Sequence, residues 1–199
     1  MTTKDLPDTK KRIIISALDL FSSKGFASTT TREIAAAAGV NELTLFRNFG
    51  SKDGLLKSAI ESTLNVEGIA SDIPPISGDP EEDLFILVEF LRENIRKRRN
   101  LYRLMFRDYS NPIVERNLKE VPGRIKKLLV GRVKQILRPN VKGDLDYETA
   151  SIFLMSYFFR SEMQTAMMGL DPFHEIDERR TREVIRIFLK GVLPREGSD

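Results

Sequence analysis

Apolar side chains recur at helical spacing along nearly the whole chain, and no stretch alternates with the period of two that marks a half-buried strand. Ile13, Ile14, Ala17, Leu18, Leu20 and Phe21 predict a helix over 8–23, with Gly25 at its C-terminal cap. Ile34, Ala35 and Ala38 give a small apolar face to a short second helix. Thr30 caps it, Glu33 stands at capping-box spacing, and Gly39 ends it. Asn41 caps a third helix carrying Leu43, Leu45, Phe46 and Phe49, and Ser51 caps a fourth that runs to about residue 65. Pro74, Pro75, Gly78 and Pro80 forbid regular helix over 68–80, which reads as a connection between domains.

Leu84, Leu87, Val88, Leu91 and Ile95 predict a well-buried helix over 81–99. A short aromatic helix over 102–109 follows, the chain restarts at Asn111 and Pro112, Pro122 and Gly123 interrupt it, and helix resumes over 124–137. Asp144 or Asp146 opens a helix to about residue 170 that is apolar on nearly all sides. A domain of this size can hardly cover such a helix alone, so a partner surface is expected. The last helix, over 177–193, carries Val184, Ile185, Phe188, Leu189 and Val192 at amphipathic spacing. The expected fold is all-α. An N-terminal three-helix unit over 1–55 leads through a helix at about 51–66 into a larger helical domain over 66–199, with loose ends at 1–4 and 194–199.

A small-residue helix, a Gly turn and a second short helix form the pattern of a helix-turn-helix, whose second helix enters the DNA major groove. The residues Thr30, Thr31, Ile34, Ala35, Ala38, Gly39 and Val40, followed by Leu45, Phe46, Asn48, Phe49, Ser51, Lys52, Leu55 and Leu56, resemble the DNA-binding domain of TetR-type transcriptional regulators. The run over 12–26 matches as well. Phe46 stands where that family usually has Tyr, and Glu42 and Leu43 where it often has Lys, Gly or another small residue. The resemblance implies a homodimer paired through the last two long helices as a four-helix bundle. It also implies a small-molecule effector in the middle of the chain, and most often a repressor.

Charge changes the picture along the 199 residues. Residues 1–60 hold 9 Lys and Arg against 6 acids, residues 61–91 hold 8 acids and no base, and residues 92–138 hold 15 bases against 4 acids. The first block suits a DNA-contacting module. The basic surplus of 92–138 admits an anionic effector such as an acyl-CoA or an aromatic acid, extra contact with DNA phosphate, or a solvated face. No Cys is present, which excludes disulfides and thiolate metal sites. The N-terminus lacks the apolar core of a signal peptide and the run over 152–159 is too short to span a bilayer, so a cytoplasmic chain with no membrane partner is expected.

Candidate chemistry follows from these placements. Asn41 and Asn48 suit adenine edges, Arg47 guanine or phosphate, Thr44 a thymine methyl or a phosphate, and Glu42 either a cytosine amino group or a plain helix start. Thr30, Thr31, Arg32, Phe46 and Lys52 complete the expected DNA-binding set, with Thr31, Arg32 and Lys52 on phosphates. Phe85, Phe90, Tyr102, Phe106, Tyr109, Phe153 and Tyr157 are candidates for an effector pocket, although aromatics at helical spacing more often fill core. Ile152, Met155, Phe159, Met163, Val184, Ile185, Phe188 and Leu189 are the expected dimer interface. Asp79 to Asp83 read as a capped, acidic helix start rather than a cation site, and no cofactor is expected. One histidine, His174, and no nucleophile or phosphate-loop motif leave an enzyme without machinery. The alternative is a helical interaction module that never binds an operator.

Overall fold

The computed structural model describes residues 8–141, 143–168 and 177–193. His174 lies outside them. Among the described residues the chain is helical, with α1 (Asp8–Lys24), α2 (Thr31–Ala37), α3 (Glu42–Phe49), α4 (Lys52–Thr63), α5 (Val66–Asp72), α6 (Pro80–Lys97), α7 (Arg99–Arg107), α8 (Pro112–Leu137), α9 (Tyr147–Met168) and α10 (Glu178–Val192). The chain gathers into two compact units. One comprises residues 1–71 and 98–123, the other residues 72–97 and 124–199.

In the first unit α1 is the central helix, packed on α2, α4 and α7. Its face is fully out of water: Ile13, Ile14, Ala17 and Phe21 are buried, as are Ile34 of α2, Leu45 of α3, and Leu55, Leu56 and Ile60 of α4. Burying side chains of this size stabilises by about 1.5–3 kcal/mol each before entropy is counted. A second set of ties is polar. The Arg107 guanidinium donates to the Ser23 carbonyl at the end of α1 (2.5 Å), the Phe26 N–H donates to Asp108 (3.0 Å), and Asn100 donates to Asp19 (2.6 Å). Arg98 donates to the Thr63 carbonyl at the end of α4 (2.8 Å). Cations at helix C-termini satisfy carbonyls that have no intrahelical partner. Two bases of the 92–138 surplus, Arg98 and Arg107, are therefore engaged within the first unit.

The second unit is a helical bundle in which α6 packs on α9 and α10. Its core is built from Leu84, Leu87 and Val88, from Val133, Ile136 and Leu137, from Leu154 and Phe158, and from Ile185, Phe188 and Leu189. Asp79 opens α6 as a cap, accepting the N–H groups of Glu81 and Glu82. Asp83 turns back into the preceding loop and accepts the N–H groups of Ser77 (2.7 Å) and Gly78 (3.0 Å). Burial opposes its ionisation, but these hydrogen bonds outweigh burial and hold its carboxyl below the usual range.

Two expectations are corrected. Pro122 does not interrupt the chain: α8 runs unbroken from Pro112 to Leu137 with Pro122 inside it. The hydrogen bond that Pro122 cannot donate falls on an exposed side of the helix, since Pro122 itself is exposed. Helix also continues into the stretch read as irregular. Asn65 accepts the N–H of Gly68 and starts α5, which ends before the first proline. Ile185, Phe188 and Leu189, expected at the dimer interface, are buried in the core of their own unit.

Candidate nucleic-acid interface

The start of α2 is fastened by a reciprocal box. The Glu33 N–H donates to the Thr30 hydroxyl (3.2 Å), and the Thr30 N–H and hydroxyl donate to the Glu33 carboxylate (2.9 and 3.0 Å). Lys24 also reaches Glu33, at 2.7 Å. The Lys24 hydrogen bond first, then those from Thr30, hold the Glu33 carboxyl down to about 2 from an ordinary 4.5. At the other end Gly39 takes φ 65, and the N–H groups of Gly39 and Val40 return to Ala36 and Ala35. This is a Schellman turn, and a side chain there would strain it.

The turn delivers Asn41, whose side-chain oxygen accepts both the N–H (2.7 Å) and the hydroxyl (2.8 Å) of Thr44. Asn48 donates to the Thr44 carbonyl (2.7 Å). Glu42 accepts the Thr31 hydroxyl at 2.5 Å, which bolts the start of α3 to the start of α2. Leu45 is wholly buried beneath, and Ser51 caps α4 by accepting the Gly54 N–H at 2.9 Å. The ammonium of Lys52 rests 4.4 Å from the centre of the Phe26 ring and 3.4 Å from the Ala27 carbonyl.

Several polar atoms of the expected DNA-binding set are hydrogen-bonded within the chain. An asparagine reads adenine with its oxygen and its amide together, and the Asn41 oxygen is already held by Thr44. The Thr31 hydroxyl, expected on a phosphate, donates to one oxygen of the Glu42 carboxylate. Arg32 and Arg47 stand exposed as expected. The outward residues of α3 are Leu43 (67% exposed), Phe46 (41%) and Arg47. Leu43 was absent from the expected set because an apolar residue on a short amphipathic helix reads as core. The signal that could have found it was its spacing: Leu43 lies well off the side of Leu45 on the helical wheel.

Residues 13–59 match the sequence model of the bacterial regulatory proteins of the tetR family. The chain is 30% identical over 186 residues to YvkB, an uncharacterized HTH-type transcriptional regulator of Bacillus subtilis, covering 92% of this chain and 97% of that one. The chain belongs to the TetR family. Two solved structures share the fold of this regulator at 18% identity. One is FadR from Bacillus subtilis in complex with stearoyl-CoA (TM-score 0.67, 91% of this chain and 98% of that one). The other is a transcriptional regulator from Saccharomonospora viridis in complex with choline (TM-score 0.70, 94% and 98%). The regulator is thus a DNA-binding transcriptional regulator, with α3 as the second helix of its helix-turn-helix.

The regulator's expected pocket residues are divided between the two units. Tyr102, Phe106 and Tyr109 lie in the first, Phe85, Phe90, Phe153 and Tyr157 in the second. Tyr109 (67%) and Phe153 (72%) are too exposed to line an enclosed cavity, and Phe106 and Tyr157 are exposed as well. Phe85 packs against the core and carries the Arg182 guanidinium 3.8 Å from its ring centre. Phe90 is half-buried, and burial raises the phenol of the half-buried Tyr102 above its usual value. A shallow cleft in the second unit is lined by Ile73, Pro74, Ile86, Arg132 and Ile136, and the Arg132 guanidinium donates to the Pro74 carbonyl beside it.

Sequence reasoning missed a buried ionic cluster in the same unit. Arg92 of α6 is 4% exposed and donates to Glu162 of α9 (2.7 Å), to Glu89 (2.5 Å) and to Thr181 of α10 (3.1 Å). Arg96 grips the same Glu162 carboxylate at 3.0 and 2.8 Å. A charge on an otherwise apolar stripe, Arg92 between Leu91 and Ile95, was the available signal. Of the expected interface, Ile152 (45%) and Phe159 (48%) face outward on α9 beside Phe153, Met155 and Val184 are half-buried, and Met163 is buried.

Proposed function

We propose that the regulator is a repressor that binds a palindromic operator as a homodimer and is released by a small-molecule effector bound within residues 66–199. The observation that carries this reading is the braced recognition helix. Its polar neighbours fasten α3 internally, while Leu43, Phe46 and Arg47 remain directed outward. One such helix supplies little specificity, so two half-sites about 34–36 Å apart, or a multiple of that, are required. The outward apolar face of α9, with Ile152, Phe153 and Phe159, suits the second copy. A large exposed apolar face on a chain of this size favours association.

The effector is anionic or amphipathic in this reading. Fold neighbours hold stearoyl-CoA in one case and choline in another, so the fold does not choose and this chain's own residues must. Arg92 and Arg96 already seat one carboxylate, that of Glu162, and an incoming carboxylate or phosphate would compete for them. Competition releases DNA only when effector and operator prefer different conformations. No helix among the described residues is long and apolar enough to cross a membrane, in keeping with a cytoplasmic regulator.

The test is selection of bound sequences from a random DNA library, followed by salt titration and by challenge with long-chain acyl-CoA. A palindrome released by the acyl-CoA supports the whole reading. A palindrome indifferent to it removes the effector class, and no enriched sequence removes operator binding.

A further inference from the structure

On a helical wheel, Leu43 sits between Phe46 at i+3 and Arg47 at i+4, so it stands at the middle of the outward face of α3. Leu45, on another side, is fully buried. A single exposed leucine on a protein surface needs no explanation. This one lies in the first turn of α3, and the N-terminal residues of a recognition helix are those that contact base edges, while the polar residues around it each have an atom engaged within the chain. Asn41 holds Thr44, Asn48 holds the α3 backbone, and Glu42 holds Thr31. The exposed residues within α3 are a leucine, a phenylalanine and one cation. The floor of the major groove offers hydrogen-bonding groups at every base pair but only one apolar feature, the C5 methyl of thymine.

We propose that Leu43, flanked by Phe46, is a specificity-determining residue that reads a thymine methyl group in each operator half-site, with Arg47 on the adjoining guanine or phosphate. The inference rests on the operator-binding reading above. It assigns discrimination to apolar contact rather than to the amide and carboxylate side chains. Those act one step back, as positioning residues for α3.

The experiment replaces each thymine of the selected operator, one at a time, with deoxyuridine, which differs only by lacking that methyl. Wild type and Leu43→Ala are titrated against the set. Burial of one methyl corresponds to about fourfold in affinity, and to about sixteenfold when both half-sites are changed together. Wild type is expected to lose this factor at one thymine per half-site. Leu43→Ala is expected to bind the unmodified operator more weakly and to be insensitive to uracil at that same position. Leu43→Met, which keeps an apolar reach, is expected to retain the sensitivity. Leu43 is exposed, so unchanged melting temperatures certify the fold of both variants. Equal uracil profiles for wild type and Leu43→Ala overturn the inference while leaving operator binding intact. Failure of the wild type to enrich any sequence overturns operator binding, and this inference with it.

Discussion

Replacing Glu162 by leucine tests how the second unit is held together. The substitution removes the carboxylate that accepts Arg92 Nε at 2.7 Å and Arg96 at 2.8 and 3.0 Å, and leaves Arg92 in a site only 4% exposed. Breaking a buried pair by removing one partner costs about 3–5 kcal/mol. Arg92 keeps Glu89 and Thr181, and the half-exposed Arg96 can turn to water, so its share is under about 1 kcal/mol. The loss therefore falls at the low end, about 3 kcal/mol. For a chain of this length each kcal/mol moves the melting temperature by about 2–4 °C, which gives a drop of about 6–12 °C. Thermal unfolding followed by circular dichroism, at one fixed protein concentration, measures it. Arg92→Met combined with Glu162→Leu is expected to return to within about 1 kcal/mol of wild type, because apolar replacements remove both desolvated charges. A Glu162→Leu protein melting within 2 °C of wild type, or a double variant no better than the worse single one, would refute the reasoning.

Other outcomes follow from the same structure. Glu33 has its folded pKa depressed to about 2 from 4.5, so its contribution is complete above pH 4.5 and lost as pH falls toward 2; the stability gap between wild type and Glu33→Gln, measured by denaturant unfolding, should close over that window. Gly54→Ala is expected to destabilise by about 1–3 kcal/mol and to weaken operator binding further, because its Cβ would meet the Phe49 carbonyl at a distance no backbone contact allows. Phe153→Glu, on the outward face of α9, should convert a dimer to a monomer in sedimentation velocity while barely changing the far-ultraviolet spectrum. Thr30→Ala should cost about 1 kcal/mol through loss of the α2 cap, read from chemical denaturation.

The helix starts were legible in the sequence because a cap is a local device. Thr30 with Glu33, Asn41 and Ser51 all cap where their spacing placed them, since donor and acceptor lie within three residues. Roles that depend on distant partners were not legible. Asparagine and threonine are equally suited to capping a helix and to reading a base, and only the three-dimensional turn shows that Asn41 and Thr44 spend their polar atoms on each other. Amphipathic spacing in α10 announces an apolar face but not its destination. That face went to α6 and the rest of its own core, while Ile152, Phe153 and Phe159 of α9 stand exposed. The break expected at Pro122 failed for a similar reason: a proline removes one donor, and packing of Val121 and its neighbours can carry the helix past it.

The ties between α7 and α1 bear on how this chain can be cut and recombined. Its DNA-reading unit is not contiguous: residues 98–123 close onto residues 1–71 after an excursion through the other unit. A fragment ending at residue 71 would leave the Phe26 N–H without Asp108, and the end of α1 without Arg107. It would also bare the side of α1 that packs on α7. Grafting the first sixty residues onto a relative's remainder therefore transplants a reading head without its clasp. Productive exchange between such regulators requires α1 and α7 to travel together, as a matched pair inherited from one parent.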